Sequence, residues 1–598
     1  MKRLFLNGKI FTSNEEQLYA EAMLTEDGRI TWIGSSEEAK ELEVSLKIGA
    51  ANGQRPCEVI DLPCEVIDLP CEVIDLQGRT VVPGFVDAHM HPMMLAEYSR
   101  QIACLPPKIN SIRQLSQAIA QAAEDIRAEE EHRDAPAADL SAAANPPAAD
   151  LPNAPAADAG DAGSIAPAAD LPWICGWGYD EGKYEEKRSP NRYDLDLGCP
   201  DFPVFLVRSC EHIRCVNSKA LEIAGITKDT PDPPGGSIDR DEQGAPTGIL
   251  RENARDLVLP YMPVETEDEL VSALTDLGDL LISQGIVAVA DMGNLHAGGN
   301  FEYYAKAVEK GFRQRVALYY MWDYFMDDPD FAITPALMDR EQQIRIAGLK
   351  LIGDGSISGK TAWLHEPYMG TEEQGMPVYT DESLEKAISF AKEAGCQISV
   401  HAMGGQAIDR IVDRICEEED WTDGSVPYLR VEHVTEPTEE AMRKASEKGF
   451  AFASQPIFEY CEIETYRANM DKERLQHLYP HRTELDRGIR LCFSTDAPAT
   501  SWAVPSDPFP NIKSAVTRRA YDGTDIGQSE RVDIETAIIL YTRNAAEVCG
   551  FSGLGQLAPG YSADFVVLSE DIFTAPADRI DQIRAEETFI RGECVYRR

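Results

Sequence analysis

The chain has no long hydrophobic run. Nothing in its 598 residues approaches the roughly 18 consecutive apolar residues that span a bilayer, so a membrane-spanning helix is not expected. Positive charge is also scarce: 56 Lys plus Arg face 102 Asp plus Glu, a formal net charge of −46. That balance argues against nucleic acid and against an anionic membrane surface as partners. The 14 cysteines include no CxxC pair and no regular framework, so they are read as reduced thiols in a cytoplasmic protein. No leader is expected, because Asn7-Gly8-Lys9 interrupts the apolar stretch that follows Lys2-Arg3. No glycine-rich phosphate loop follows an early strand, which counts against an open doubly wound sheet.

What the chain does have is organised around Val81–His91, Val-Val-Pro-Gly-Phe-Val-Asp-Ala-His-Met-His. Val82–Val86 reads as a short buried strand. In extended chain alternate side chains share a face, so His89 and His91 point at one spot just past the strand end. Two neutral imidazoles converging in this way make half a site for Zn²⁺ or a similar ion. An isolated His-x-His carries little weight, and the weight comes from how later strands end.

Upstream, residues 3–10 and 20–33 read as strands, and the turn Thr25-Glu26-Asp27-Gly28 predicts a hairpin between Ala22–Leu24 and Arg29–Ile33. Residues 56–76 are three tandem copies of Pro-Cys-Glu-Val-Ile-Asp-Leu, starting at Pro56, Pro63 and Pro70. A proline in every period rules out a coiled coil. Each copy is a strand candidate. The third leads directly into Val81, so it is expected to pair, with the first two carried in a loop. An insertion occupies residues 92–265. Within it Ile112–Glu130 has helical spacing, Phe202–Val207 reads as a strand and Ser218–Ala224 as a helix. Residues 134–172 repeat Pro-Ala-Ala-Asp and have too little apolar bulk to offset ordering entropy, so a disordered loop is expected.

From the capping box Thr266–Glu269 onward, helices and strands alternate. The strand candidates are Ile286–Ala290, Arg315–Tyr320, Leu349–Gly353, Gln397–His401, Leu429–His433, Phe450–Ser454 and Arg490–Thr495. With Val82–Val86 they make eight, which points to an α/β fold, a (β/α)8 TIM barrel over residues 81–554. Late strands at Asp564–Leu568 and Glu587–Tyr596 are expected to pair with the first ones in a small sheet. Residues 1–80 and 555–598 then form a small composite β domain, a β-sandwich beside the barrel.

Barrel active sites lie at the C-terminal ends of the strands. Strand one ends in His89 and His91, strand five in His401, strand six in Glu432-His433 and strand eight in Ser494-Thr495-Asp496. Lys350 lies inside the fourth strand, where a charge is expensive unless neutralised or paired. Four histidines and an aspartate at one mouth predict a metal site.

These segments resemble the amidohydrolase superfamily. Pro83-Gly84-Phe85-Val86-Asp87-Ala88-His89-Met90-His91 is similar to its first-strand motif. Lys350–Ser356, His401–Gly405, Arg430–His433 and Ser494–Pro498 resemble one branch, amidohydrolase family 3, similar to N-substituted formamide deformylases and often labelled YtcJ-like. The resemblance implies that His89, His91 and Asp496 hold one metal and His401 and His433 a second. It further implies two divalent ions per chain, zinc by ligand type, bridged by a carboxylated Lys350. Trp177, Asp180 and His212, in the insertion expected to fold over the mouth, are assigned to substrate contact.

The implied reaction is hydrolysis of a non-peptide amide-type C–N bond in a small molecule by a metal-activated water, with Asp496 as the proton-transfer residue. Two rivals stay open: single-metal deamination of a heterocycle, and a catalytically inactive barrel used for binding or assembly. The sequence leaves the substrate open, and also a homo-oligomer such as a dimer.

Overall fold

Gly84 is where the chain changes sheets. Thr80–Pro83 is a strand of a small sheet and Phe85–Met90 is the first strand of the barrel. A Cβ at Gly84 would lie 2.5 Å from Val287 Cγ2, so only glycine passes between the two. The expected single strand Val82–Val86 is therefore two strands in two sheets. His89 consequently lies inside the barrel strand, and His91 just beyond its end.

The computed structural model describes residues 1–42, 71–134, 171–209, 213–293, 300–422 and 424–598. The first two heptapeptide copies, His212, and residues 135–170 of the low-complexity stretch lie outside the described residues. Two compact units are present: Met1–Arg100 with Thr266–Arg598, and Gln101–Glu265.

In the first unit eight parallel strands form the barrel: β1 (Phe85–Met90), β2 (Ile286–Asp291), β3 (Arg315–Met321), β4 (Ile344–Ile352), β5 (Gln397–Ala402), β6 (Leu429–His433), β7 (Ala451–Ser454) and β8 (Arg490–Phe493). Each pairs with the next in chain order. β8 stops two residues earlier than expected. The circle closes through the segment beyond it: Asp496 N–H donates to the His89 carbonyl and His91 N–H to the Ala497 carbonyl, each at 2.8 Å. Small residues fill the barrel interior, among them Ala88, Ala288, Ala290, Ala317, Ala451 and Ala453. The outer strand faces meet the helices through larger side chains such as Leu274, Leu349, Ile398, Ile411 and Leu491.

The helices carry the punctuation expected of them. Thr266 and Glu269 form a reciprocal capping box, and Thr380 and Thr438 cap the helices Asp381–Ala394 and Glu439–Lys448. Those two helices end on Gly395 and Gly449 at φ +70° and +68°, the left-handed conformation that a side chain disfavours.

Beside the barrel, the N- and C-terminal segments form the two sheets of the expected β-sandwich. One is ordered Arg29–Gly34, Ala22–Glu26, Lys2–Leu6, Cys71–Asp75; the other is Glu593–Arg597, Ala585–Ile590, Phe565–Leu568, Thr80–Pro83, Lys9–Phe11, Tyr19–Ala20. The expected strand 3–10 breaks at Asn7-Gly8, where Asn7 has φ +55° and a Cβ at Gly8 would lie 2.6 Å from Leu76. Its halves enter opposite sheets. Phe5 packs edge-on against Phe565 (5.1 Å) across the layer between them, and Phe565 stacks on Phe589 (4.3 Å). The third heptapeptide copy supplies Cys71–Asp75, paired in parallel with Lys2–Leu6.

The second unit has its own six-stranded sheet, ordered Gly236–Arg240, Pro246–Glu252, Ile213–Val216, Val204–Arg208, Ile174–Tyr179, Ile102–Ala103. Leu115 and Ile119 of the helix Ile112–Asp134 pack with Leu195, Val204 and Leu206 in its core. Among the described residues no helix is long and apolar enough to cross a membrane.

The first unit also buries an isolated acid beyond β7. Glu484 is fully buried and neither of its carboxylate oxygens has a hydrogen-bond partner among the described residues. Burial, reinforced by the neighbouring Glu530 charge and opposed by Arg518, pushes its carboxyl up to about 8. An unfolded glutamate titrates near 4.3. With the folded value raised, stability is full below pH 4.3 and is lost as pH rises towards 8. Glu484→Gln should therefore stabilise the protein more at pH 8 than at pH 5, by about 1 kcal/mol or more. Denaturant unfolding at the two pH values measures this, and equal increments would show the carboxyl to be ordinary.

Candidate metal centre

Each strand-end histidine has one ring nitrogen committed to an acceptor. His89 Nδ1–H donates to Glu432 Oε2 (2.6 Å), His91 Nδ1–H to the Gly293 carbonyl (2.7 Å) and His433 Nδ1–H to Gln455 Oε1 (2.7 Å). His401 is the reverse case: its Nε2–H donates to the Gly355 carbonyl (2.9 Å). The proton thus sits on the committed nitrogen, and the lone pair is left on Nε2 of His89, His91 and His433 and on Nδ1 of His401. This second layer of acceptors is how proteins orient imidazoles for a metal.

The lone pairs then meet an anion. Asp496 Oδ1 lies 3.3 Å from His89 Nε2 and 3.2 Å from His91 Nε2, yet it makes no aligned hydrogen bond with either. A carboxylate oxygen facing two imidazole lone pairs is repulsive unless a proton or a cation sits among them. His89, His91 and Asp496 have ligand atoms all within 4.8 Å of one another, so the donor set fits a divalent ion. His433 is close by, with its ring 4.9 Å from that of His89 and 4.4 Å from that of His401.

Burial sets the direction at His89 and His433, driving both imidazoles well below their usual range, assisted by Lys350 in both cases. At His91 the cost of burial is outweighed by Asp496 and the Gly293 carbonyl, which together raise the imidazole. Burial alone would also raise Asp496, but His89, His91 and Lys350 together hold it below its ordinary value. Lys350, in β4, is 2% exposed and its Nζ has no hydrogen-bond partner among the described residues. Burial outweighs the attraction of Glu432 and Asp496 and lowers this amine to about 8.

The backbone is strained where it delivers these groups. His433 has φ +75° and its neighbours close a γ-turn, Val434 N–H to the Glu432 carbonyl at 3.0 Å; Val434 follows at φ +48°. Asp496 has φ +56°. Positive φ is unfavourable for histidine and more so for a β-branched valine, and such strain collects at functional sites.

A set of supporting residues went unassigned in the sequence reading. Glu432 accepts from Arg430 Nε (2.5 Å) and Ser399 Oγ (2.9 Å) as well as from His89, while Arg430 donates to the Ala88 carbonyl (2.5 Å) and Tyr319 Oη (3.1 Å). Asp87 accepts from Thr495 Oγ1 (2.5 Å) and ties β1 to the Asp496 segment. Asp354 accepts the N–H groups of Met403, Gly404 and Trp363 at 2.8–3.0 Å. The signal that could have found them is the one used for Lys350: charged residues inside buried strands or between apolar neighbours. Trp177 and Asp180 belong to the second unit. There Trp177 is a buried residue of the strand Ile174–Tyr179, and Asp180 Oδ1 accepts from Gly182 N–H at 2.8 Å.

Arg430 and Glu432 are both fully buried and form an ion pair, and Glu432 is the carboxylate that neutralises Arg430. Glu432→Gln should leave Arg430 uncompensated and cost about 3–5 kcal/mol of stability. The same change disturbs the His89 orientation and should weaken metal binding about 10–100-fold. Unfolding of the metal-free protein and competition with a chelator read the two effects separately. Unchanged metal affinity would remove Glu432 from the centre.

The sequence model of the amidohydrolase family matches residues 72–596. The YtcJ protein of Bacillus subtilis (strain 168) is 28% identical over 616 aligned residues, covering 100% of this chain and 99% of its own length. The N-substituted formamide deformylase of Arthrobacter pascens is 23% identical, covering 100% of this chain and 98% of its own. A solved metal-dependent hydrolase of Pyrococcus horikoshii shares the fold, with a TM-score of 0.65 at 23% identity over 97% of this chain and 99% of its own. A family match that takes in every barrel strand and each of the strand-end histidines leaves one conclusion: the chain belongs to the amidohydrolase family.

Proposed function

We propose that this chain is a metal-dependent hydrolase of a non-peptide amide-type C–N bond in a small molecule. The observation that carries the reading is the convergence of two imidazole lone pairs on Asp496 Oδ1 in a buried, strained strand-end cluster. His89, His91 and Asp496 would hold one divalent ion, zinc by donor type. His401 and His433, through the nitrogens left free, would hold a second, with a carboxylated Lys350 between them. A bound metal supplies a water of lowered pKa and polarises the substrate carbonyl.

The chain's own residues do the rest. Asp496 takes the proton of the attacking water and delivers it to the leaving nitrogen, so that amide and water become acid and amine. Glu432 and the Gly293 carbonyl keep His89 and His91 in the tautomer that presents the Nε2 lone pair to the ion. Lys350 reacts with CO2 only as a free amine, and its lowered pKa of about 8 keeps part of it in that form near neutrality. The choice of a C–N bond is supported by the deformylase relative. One observation favours the single-metal alternative, deamination of a heterocycle: among the described residues only His89, His91 and Asp496 form a tight cluster. An inactive barrel is disfavoured because no donor is missing.

Elemental analysis of protein purified without chelators should show about two metal ions per chain, where one would favour the deaminase reading. No bound transition metal under any loading condition would end both. Lys350 carboxylation should appear as a carbamate carbon resonance after equilibration with ¹³C-bicarbonate, absent in Lys350→Met. Asp496→Asn should lower kcat on the order of 10³-fold while the fold persists. Near-normal turnover would exclude Asp496 from proton transfer.

A further inference from the structure

At the opposite end of the barrel, about 20 Å along the strands from the metal centre, lies a cavity of about 260 Å³. Its wall is made by the N-terminal ends of β2 and β3 and by two hairpin turns of the sandwich, through Val287, Arg315, Gly28 and Arg591 among others. Four arginines line it: Arg29, Arg313, Arg315 and Arg591. Two carboxylates accompany them, Glu341 and Asp564. In a chain of net charge −46, a pocket with a surplus of two positive charges is an exception.

The arginines are not consumed by the fold. The Arg313 and Arg591 guanidinium groups make no hydrogen bond or ion pair among the described residues. Arg29 donates from one guanidinium nitrogen to the Gly560 carbonyl (2.9 Å) and is otherwise only loosely paired with Glu341, at 3.6 Å between two exposed side chains. Arg315 donates only to backbone carbonyls, to that of Ser552 at 2.7 Å and to that of Arg340 at 2.5 Å. Asp564 accepts from Arg591 N–H (2.6 Å) and Ser562 Oγ (2.7 Å) and offsets part of the Arg315 and Arg591 charge, but it makes no hydrogen bond to either guanidinium. Four guanidinium groups gathered around one cavity with only two carboxylates leave a positive surplus that a bound anion would neutralise.

The backbone keeps the cavity open. Gly28 has φ +83°, and a Cβ there would lie 2.9 Å from Arg591 Cβ; Gly553 has φ +62°, with a Cβ falling 3.4 Å from the Arg29 guanidinium. Side chains at either glycine would crowd the arginines that face the space. The four guanidinium groups arrive from three separate segments, an arrangement that suits the several oxygens of a tetrahedral oxyanion better than one planar carboxylate. The volume is below that of a drug-sized site.

We propose that this cavity is a binding site for a small phosphate-bearing anion, either inorganic phosphate or a short phosphate monoester, separate from the metal centre. Titration calorimetry on the metal-loaded full chain tests it, with inorganic phosphate in one arm and glycerol 3-phosphate in the other. Saturable binding is expected in at least one arm, and the tighter arm identifies the source of the phosphate. Arg313→Gln combined with Arg591→Gln should weaken that binding at least about tenfold, since two charge-assisted donors are lost, with metal content unchanged. Phosphate bound at the metal centre instead would survive the double substitution. An unchanged isotherm in the double variant, or no saturable binding in either arm, overturns the proposal.

Discussion

Everything at the mouth of the barrel depends on holding lone pairs against lone pairs. His89 Nε2, His91 Nε2 and Asp496 Oδ1 are aimed at one point without hydrogen-bonding to one another. Left alone, they would rotate away or take up protons. They are prevented by acceptors behind them: Glu432 and the Gly293 carbonyl hold the rings, and the Asp496 N–H is tied to the His89 carbonyl. The same N–H bond helps close the barrel between β8 and β1. Barrel closure and ligand convergence are therefore one structural event, which explains why Asp496 is delivered by a loop at positive φ rather than by the strand.

The supporting layer is itself charged. Arg430 threads the barrel interior and neutralises Glu432, which orients His89. Lys350 adds a second cation beside the same carboxylate. Small interior residues such as Ala88, Ala290 and Ala453 leave room for these long polar side chains where bulky residues would otherwise fill the space. Within the barrel the Arg430 and Glu432 charges are hydrogen-bonded to one another, which offsets their burial, whereas the Lys350 amine and Asp496 Oδ1 have no hydrogen-bond partner among the described residues. That amine is the unbalanced element of the centre. Its exception and the exposed arginines at the other end of the barrel are opposite cases of one rule: uncompensated charge marks places where something outside the chain is expected.

Several of the differences between expectation and structure have a common origin. Val82–Val86 and residues 3–10 each read as one apolar strand, and each is cut by a glycine that lets the chain cross from one sheet to another. Apolar periodicity reports that a residue is buried, and both sides of Gly84 are buried. It does not report in which sheet. Likewise Glu432, Arg430 and Asp87 are visible as letters in the motifs, but they also reach partners 343, 342 and 408 residues away in the chain, in His89, Ala88 and Thr495.

What the sequence by itself determined is local or periodic: eight strand–helix repeats, the helix caps, the glycine stops and the residue types at the strand ends. These rest on short-range sterics and burial patterns that a linear reading captures. From them followed the barrel, the gathering of His89, His91, His401, His433 and Asp496 at its strand ends, and the anomaly of Lys350. Only the tertiary structure decided which nitrogen of each histidine carries the lone pair, because that depends on acceptors from other strands. It also decided that residues 3–10 divide between the two sheets of the sandwich, and that arginines scattered from residue 29 to residue 591 share one cavity. Each of those outcomes is a meeting of residues distant in the chain, and burial periodicity is silent about which distant segments meet.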